Sequence, residues 1–193
     1  MKLSENFYLS EFLHSDTAER SGGAILAEQL NPPPEIVESI KYQVTKLWQP
    51  CRTALGASFK VGSGYRCKAL NAITPGSSNT SQHTTGEAGD MQMSEKFLVQ
   101  ADFLKAMRDA IESVTNKKVR VDVNSNFYLF AYICLNLESL DVDQVIHEFG
   151  TDGRPAWVHG SASMRTNRRQ ILAKRTGAGY QLLSVKEALL LGC

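Results

Sequence analysis

From Glu35 onward the apolar residues Ile36, Val37, Ile40, Val44, Leu47 and Trp48 recur at helical spacing. Asn31-Pro32-Pro33-Pro34 stands just before them, and proline is tolerated in a first helical turn. The pattern predicts a core-packing helix that ends near Pro50 or continues with a kink to Leu55, where Gly56 closes it. A second amphipathic helix is predicted over Lys96 to Val114, with Phe97, Leu98, Ala101, Leu104, Met107, Ile111 and Val114 on one face. Phe59 to Arg66 reads as a short strand running into a turn, Cys67 to Ala72 as a helical turn, and Thr74 to Thr80 as a loop. Asp90 to Met93 alternates like the start of a strand, and Val119 to Val123, Asp141 to Phe149, Ala156 to His159 and Tyr180 to Leu183 are further strands. Phe127 to Leu137 is a strand or a buried helix, because an apolar run has no period to decide between them. Ser184 to Leu191 suits a short terminal helix.

No Pro/Gly/Ser linker divides this series, and 193 residues suffice for one domain with a substantial core. Residues 1–30, with Ser21-Gly22-Gly23 as a flexible turn, are read as an N-terminal arm of that domain, and residues 31–193 as its body. A net charge of +1 exerts no general pull toward nucleic acid or membrane. The basic run Arg165, Arg168, Arg169, Lys174, Arg175 lacks the interleaved aromatics of a stacking platform, and reads as a solvated edge. Cys51, Cys67, Cys134 and Cys193 form no C-x-x-C pair and are expected as free thiols. The opening MKLSENFYLSEF has no long apolar h-region, and no window approaches the roughly 18 apolar residues that span a bilayer. The expectation is a product that accumulates in the cytoplasm.

The chemistry concentrates in Ser81-Gln82-His83-Thr84-Thr85-Gly86-Glu87-Ala88-Gly89-Asp90. It holds one of four histidines and, seven positions on, a carboxylate. Histidine and aspartate are ordinary zinc ligands, and the glycines permit tight backbone paths. A polar surface loop with a capping Ser or Thr is the plainer alternative. Further pieces follow in order: Ser63-Gly64-Tyr65-Arg66 before this stretch, then Glu148 and Trp157-Val158-His159 after it.

In that order and spacing, with Asn6 to Phe12 at the front and Asn167-Arg168-Arg169 at the back, the chain resembles the M15 family of zinc D-Ala-D-Ala peptidases. It is most similar to the branch found in phage and bacterial wall-cleaving proteins. The resemblance implies zinc held by His83, Asp90 and His159, a set that leaves a fourth position open. It implies Glu148 as general base, with Asp152 as the other candidate. Glu148 precedes His159 by eleven residues, a longer gap than the family pattern, and Thr151 to Pro155 reads as a turn inserted between two paired strands. Arg66 is expected to bind a substrate carboxylate or steady the oxyanion, against the competing role of a structural ion pair. Ser81 is expected near substrate, or capping its own turn, and Trp157 to face the way His159 faces and wall the groove. His147 points to the opposite side of its strand from Glu148, so it is left out of the ligand set; His14 is given no role.

The combined reading is an α+β domain whose small antiparallel sheet carries the zinc site, with helices packed on one side. Its implied activity is hydrolysis of peptidoglycan stem-peptide or cross-bridge bonds, by a monomer or a virion component acting on the wall after release. No nucleic-acid or membrane partner is expected. The competing reading is a non-catalytic zinc-stabilised module, structural or wall-binding, on the same scaffold.

Overall fold

The computed structural model describes residues 1–193 and contains no cis peptide bond. Six strands form one sheet: β1 (Phe59–Ser63), β2 (Ala88–Met93), β3 (Gln144–Glu148), β4 (Trp157–Ser161), β5 (Gln170–Lys174) and β6 (Tyr180–Leu183). Their order across the sheet is β1-β2-β4-β3-β5-β6. Neighbours run antiparallel except β3 and β5, which run parallel, so the sheet is mixed rather than wholly antiparallel. The parallel pair follows from topology: β3 and β4 form a hairpin, and residues 162–169 carry the chain back past β3 before β5 begins.

The first long helix takes the longer of its two predicted courses, through Leu55 to Gly56. Pro34–Gln43, the π-helical turn Val44–Trp48 and Gln49–Leu55 follow one another without a break. The wide turn just before Pro50 accommodates a residue that can donate no backbone hydrogen bond. Gly56 closes the helix in the left-handed region, at φ +60°. The second helix begins with a 3-10 turn, Glu95–Val99, and runs on as Ala101–Thr115. Phe127 to Leu137 resolves as a helix, Ser125–Leu135, whose Asn124 cap accepts from the Phe127 N–H at 3.0 Å. Nine of its residues are buried, so it is apolar on every side and carries no helical stripe.

The predicted strand at Val119 to Val123 is absent. Val119 and Val123 are buried as separate anchors, and the Arg120 N–H donates to the Gly192 carbonyl instead of to a ladder. Conversely β5 lies inside the basic run, where charge masks it: Ile171 and Ala173 turn inward, while Gln170, Leu172 and Lys174 do not.

One face of the sheet lies on helices. A Cβ placed on Gly160 would come within 2.5 Å of the Trp48 ring, and Phe130 meets His147 edge-on at 5.4 Å. One continuous core extends from Phe7 and Phe12 to Leu189, tying the first residues to the last. The opposite face carries Asp90, Ile146, Glu148, His159, Leu172 and Lys174 along a groove.

His147 is the polar exception on the packed face. It is 2% exposed, and neither ring nitrogen has a hydrogen-bond partner. Burial pushes its pKa down to about 4, opposed by its own backbone and Asp152 and aided by Arg175. The unfolded chain therefore takes up a proton near the usual pKa of about 6.5 that the folded chain refuses until about pH 4. Stability present above pH 6.5 is lost as pH falls through that window, by about 2 kcal/mol at pH 5. Urea melts at pH 7 and pH 5 should show this loss shrinking in His147→Leu; an unchanged pH dependence would exclude His147 as its source.

Candidate metal centre

His83 sits in the 3-10 turn Gln82–Thr85, which closes at Gly86 with φ +70°. A Cβ on Gly86 would lie 2.8 Å from the Ile36 carbonyl, so only glycine fits this backbone path. Two bonds fix the histidine. The Arg66 N–H donates to the His83 carbonyl at 3.1 Å, and His83 Nδ1 lies 2.6 Å from the Gly64 carbonyl. A carbonyl only accepts, so Nδ1 carries the proton and Nε2 presents its lone pair. Gly64 is held against Phe12, whose carbonyl oxygen would be 2.4 Å from any added Cβ.

Asp90 and His159 are direct cross-strand partners on β2 and β4. The Asp90 Oδ1 is 2.9 Å from His159 Nδ1 and 3.4 Å from His83 Nε2. One donor atom from each residue falls within a 4.8 Å cluster, and the two imidazole rings are 5.1 Å apart. Both histidines are buried. Burial alone would raise the Asp90 pKa, but the two imidazoles beside it, His83 and His159, outweigh it and hold the carboxylate ionised. Burial lowers the His83 pKa further than Asp90 raises it, so this imidazole is neutral. A neutral imidazole lone pair and a carboxylate oxygen converging with a second imidazole are donors of the kind a zinc ion takes.

Glu148 lies on β3 directly opposite Trp157, two residues along β4 from His159. The β3–β4 hairpin absorbs the long sequence gap, with Gly150 and Gly153 at positive φ in its turn. The Trp157 indole N–H donates to Glu148 Oε2 at 2.5 Å, and the Trp157 ring packs 5.0 Å from Phe149. Burial pushes the Glu148 carboxyl up and Asp90 adds to this, while His159, Trp157 and Arg66 pull it down; the net direction is up. Arg66 borders the same groove, its Nε buried without a partner. Burial lowers its pKa, opposed by Asp90, Glu148 and Tyr180, and no carboxylate lies within ion-pair distance of it.

The groove encloses about 890 Å³ and gathers all seven residues singled out from the sequence: Arg66, Ser81, His83, Asp90, Glu148, Trp157 and His159. The Ser81 side chain makes no cap bond. Asp152, the other candidate base, lies outside the groove with its carboxylate held by Arg175 at 2.7 Å. His14 does gather carboxylates, Asp16 at 3.1 Å and Glu19 at 3.2 Å, but all three are exposed. Lys174, expected on a solvated edge, and Leu172 and Tyr180, given no role from the sequence, extend the groove across β5 and β6. The alternation hidden in the basic run was the signal for the first two. The four cysteines are free thiols, and burial raises those of Cys51 and Cys134 well above their ordinary range. No helix is long and apolar enough to cross a membrane.

Comparison with curated proteins and with solved structures produced no match. The family model described as Peptidase M15 matches residues 5–122, which include Arg66, His83 and Asp90 and stop short of Glu148 and His159. With well over half its length matched, the chain belongs to the Peptidase M15 family, peptidases of the metallopeptidase type.

Proposed function

We propose that the protein is a zinc-dependent hydrolase of peptidoglycan stem-peptide or cross-bridge bonds, with His83, Asp90 and His159 holding the ion. The observation that carries this reading is the single Asp90 oxygen set between His83 Nε2 and His159 Nδ1, with the buried Glu148 on the strand beside that of His159. Bound there, zinc would supply a Lewis acid for the scissile carbonyl and acidify water. Glu148 takes a proton from the attacking water and returns it to the leaving amine. The Trp157 indole holds Oε2 in place, leaving Oε1 for the proton. Arg66 orients the substrate: its planar fork suits a carboxylate, and it has none of its own. Ser81 and Trp157 line the approach. The chain acts on the wall after release or as part of a virion, with stem peptides as its partner.

The test is release of soluble peptides from purified peptidoglycan, followed by mass spectrometry. Release should stop with a chelator and return with zinc. One equivalent of zinc without release would favour the non-catalytic module on the same scaffold.

The Gly64 carbonyl fixes the His83 tautomer, and such outer partners typically tune metal affinity by about 10- to 100-fold. Gly64→Ala must push this strand end away from Phe12. We expect zinc affinity, measured by dye competition, to fall within that range, and parent affinity in this variant would show that the carbonyl contributes nothing.

A further inference from the structure

The basic run is almost fully neutralised. Arg165 meets Glu87, Arg168 meets Asp143, Arg169 meets Glu138, and Arg175 meets Asp152. Lys174 is the member with no carboxylate, although its partner across the β3–β5 ladder is Glu148. Its ammonium donates to the Ala178 carbonyl and lies 4.8 Å above the ring of Tyr180, its partner on β6. It is thus a seated cation on the groove wall, beside the acid yet not bonded to it. Arg66, the other groove cation without a carboxylate, enters from the β1 side. In the sheet, β2 and β4, which bear Asp90 and His159, and β3, which bears Glu148, lie between β1, which leads into Arg66, and β5, which bears Lys174.

We propose that Lys174, seated on Tyr180, is a carboxylate-binding subsite that selects peptides carrying a second carboxylate N-terminal to the scissile bond. This rests on the hydrolase reading of the same groove. With a terminal carboxylate at Arg66, the rest of the substrate crosses β4 and β3 toward β5. His159 on β4 and Lys174 on β5 are two strand spacings apart, roughly 10 Å, which an extended chain covers in about three residues. A stem peptide whose D-glutamyl residue keeps its α-carboxylate presents an anion at about that separation. Capping that carboxylate as an amide removes the group Lys174 binds, so the subsite distinguishes amidated from unamidated wall.

The probe is the pentapeptide L-Ala-γ-D-Glu-L-Lys-D-Ala-D-Ala and its D-isoglutamine counterpart. Binding is measured by calorimetry on zinc-loaded Glu148→Gln protein, which removes turnover from the signal. The free acid should bind about tenfold more tightly than the amide, in line with a charge-assisted hydrogen bond. Lys174→Met should bring the two within about twofold, and Lys174→Arg should restore the preference. Tyr180→Leu, which removes the seat but not the charge, should reduce the preference several-fold and gives the same readout if Lys174→Met fails to fold. Equal affinities in the Lys174-bearing protein, or a preference that survives Lys174→Met, would overturn the subsite. A Lys174-dependent preference in a protein that cleaves neither peptide would leave the subsite standing and remove the hydrolase reading.

Discussion

His83→Ala and Asp90→Ala should each lose bound zinc and peptide hydrolysis together. Each removes one of only three donors, and Asp90 is the one that touches both imidazoles. In His83→Ala the half-buried carboxylate keeps only His159 as partner, and in Asp90→Ala two imidazoles face each other with no negative charge between them. Neither arrangement replaces the lost donor from nearby, since Glu148 lies on the next strand and is engaged by Trp157. Turnover should fall by about 10³-fold or more, equivalent to about 4 kcal/mol of barrier. Elemental analysis of zinc per chain beside chromatographic peptide release checks both halves. Full zinc occupancy in either variant would remove that residue from the ligand set.

Glu148→Gln should separate the two properties that the ligand variants lose together. The amide has nearly the shape of the acid, and its carbonyl can still accept from the Trp157 indole, so zinc stays bound. What disappears is proton acceptance, which typically contributes about 10²- to 10⁴-fold. The loss should fall on kcat rather than KM, because the acid moves protons and does not hold substrate. The parent's pH profile carries the same signature. Burial and Asp90 raise the Glu148 pKa, and a base works only when ionised. Activity should therefore be full above that raised value and fall as pH drops through it, at a higher pH than an exposed glutamate would give. A Glu148→Gln enzyme cleaving at the parent rate would return the base to an unassigned group.

The α+β class was legible in the sequence, and so were the residues that meet in the groove. His83, Asp90 and His159 could be named because the chain carries motifs in the order of the M15 family it resembles, and that resemblance implies the set. The gap between Glu148 and His159 looked anomalous only while counted in residues. In space the hairpin turn loops away and Glu148 still faces Trp157. What stayed hidden depended on tertiary surroundings. Ser125–Leu135 is apolar all round because it is enclosed, which erases the period that separates helix from strand. Val119 to Val123 has strand-like residues but no sheet edge beside it. β5 was obscured by arginines that look like a solvated edge until their carboxylate partners, Glu87, Glu138, Asp143 and Asp152, come near from other parts of the chain. The parallel β3–β5 pairing depends on how residues 162–169 cross the sheet, for which no local pattern is a guide.

The most direct test is anomalous diffraction at the zinc edge from crystals of the zinc-loaded protein. One strong peak per chain is expected, about 2.0–2.2 Å from an imidazole nitrogen of His83, a carboxylate oxygen of Asp90 and an imidazole nitrogen of His159. A peak at the exposed His14, Asp16 and Glu19 cluster with none in the groove would contradict it, as would zinc-loaded crystals with no ordered site.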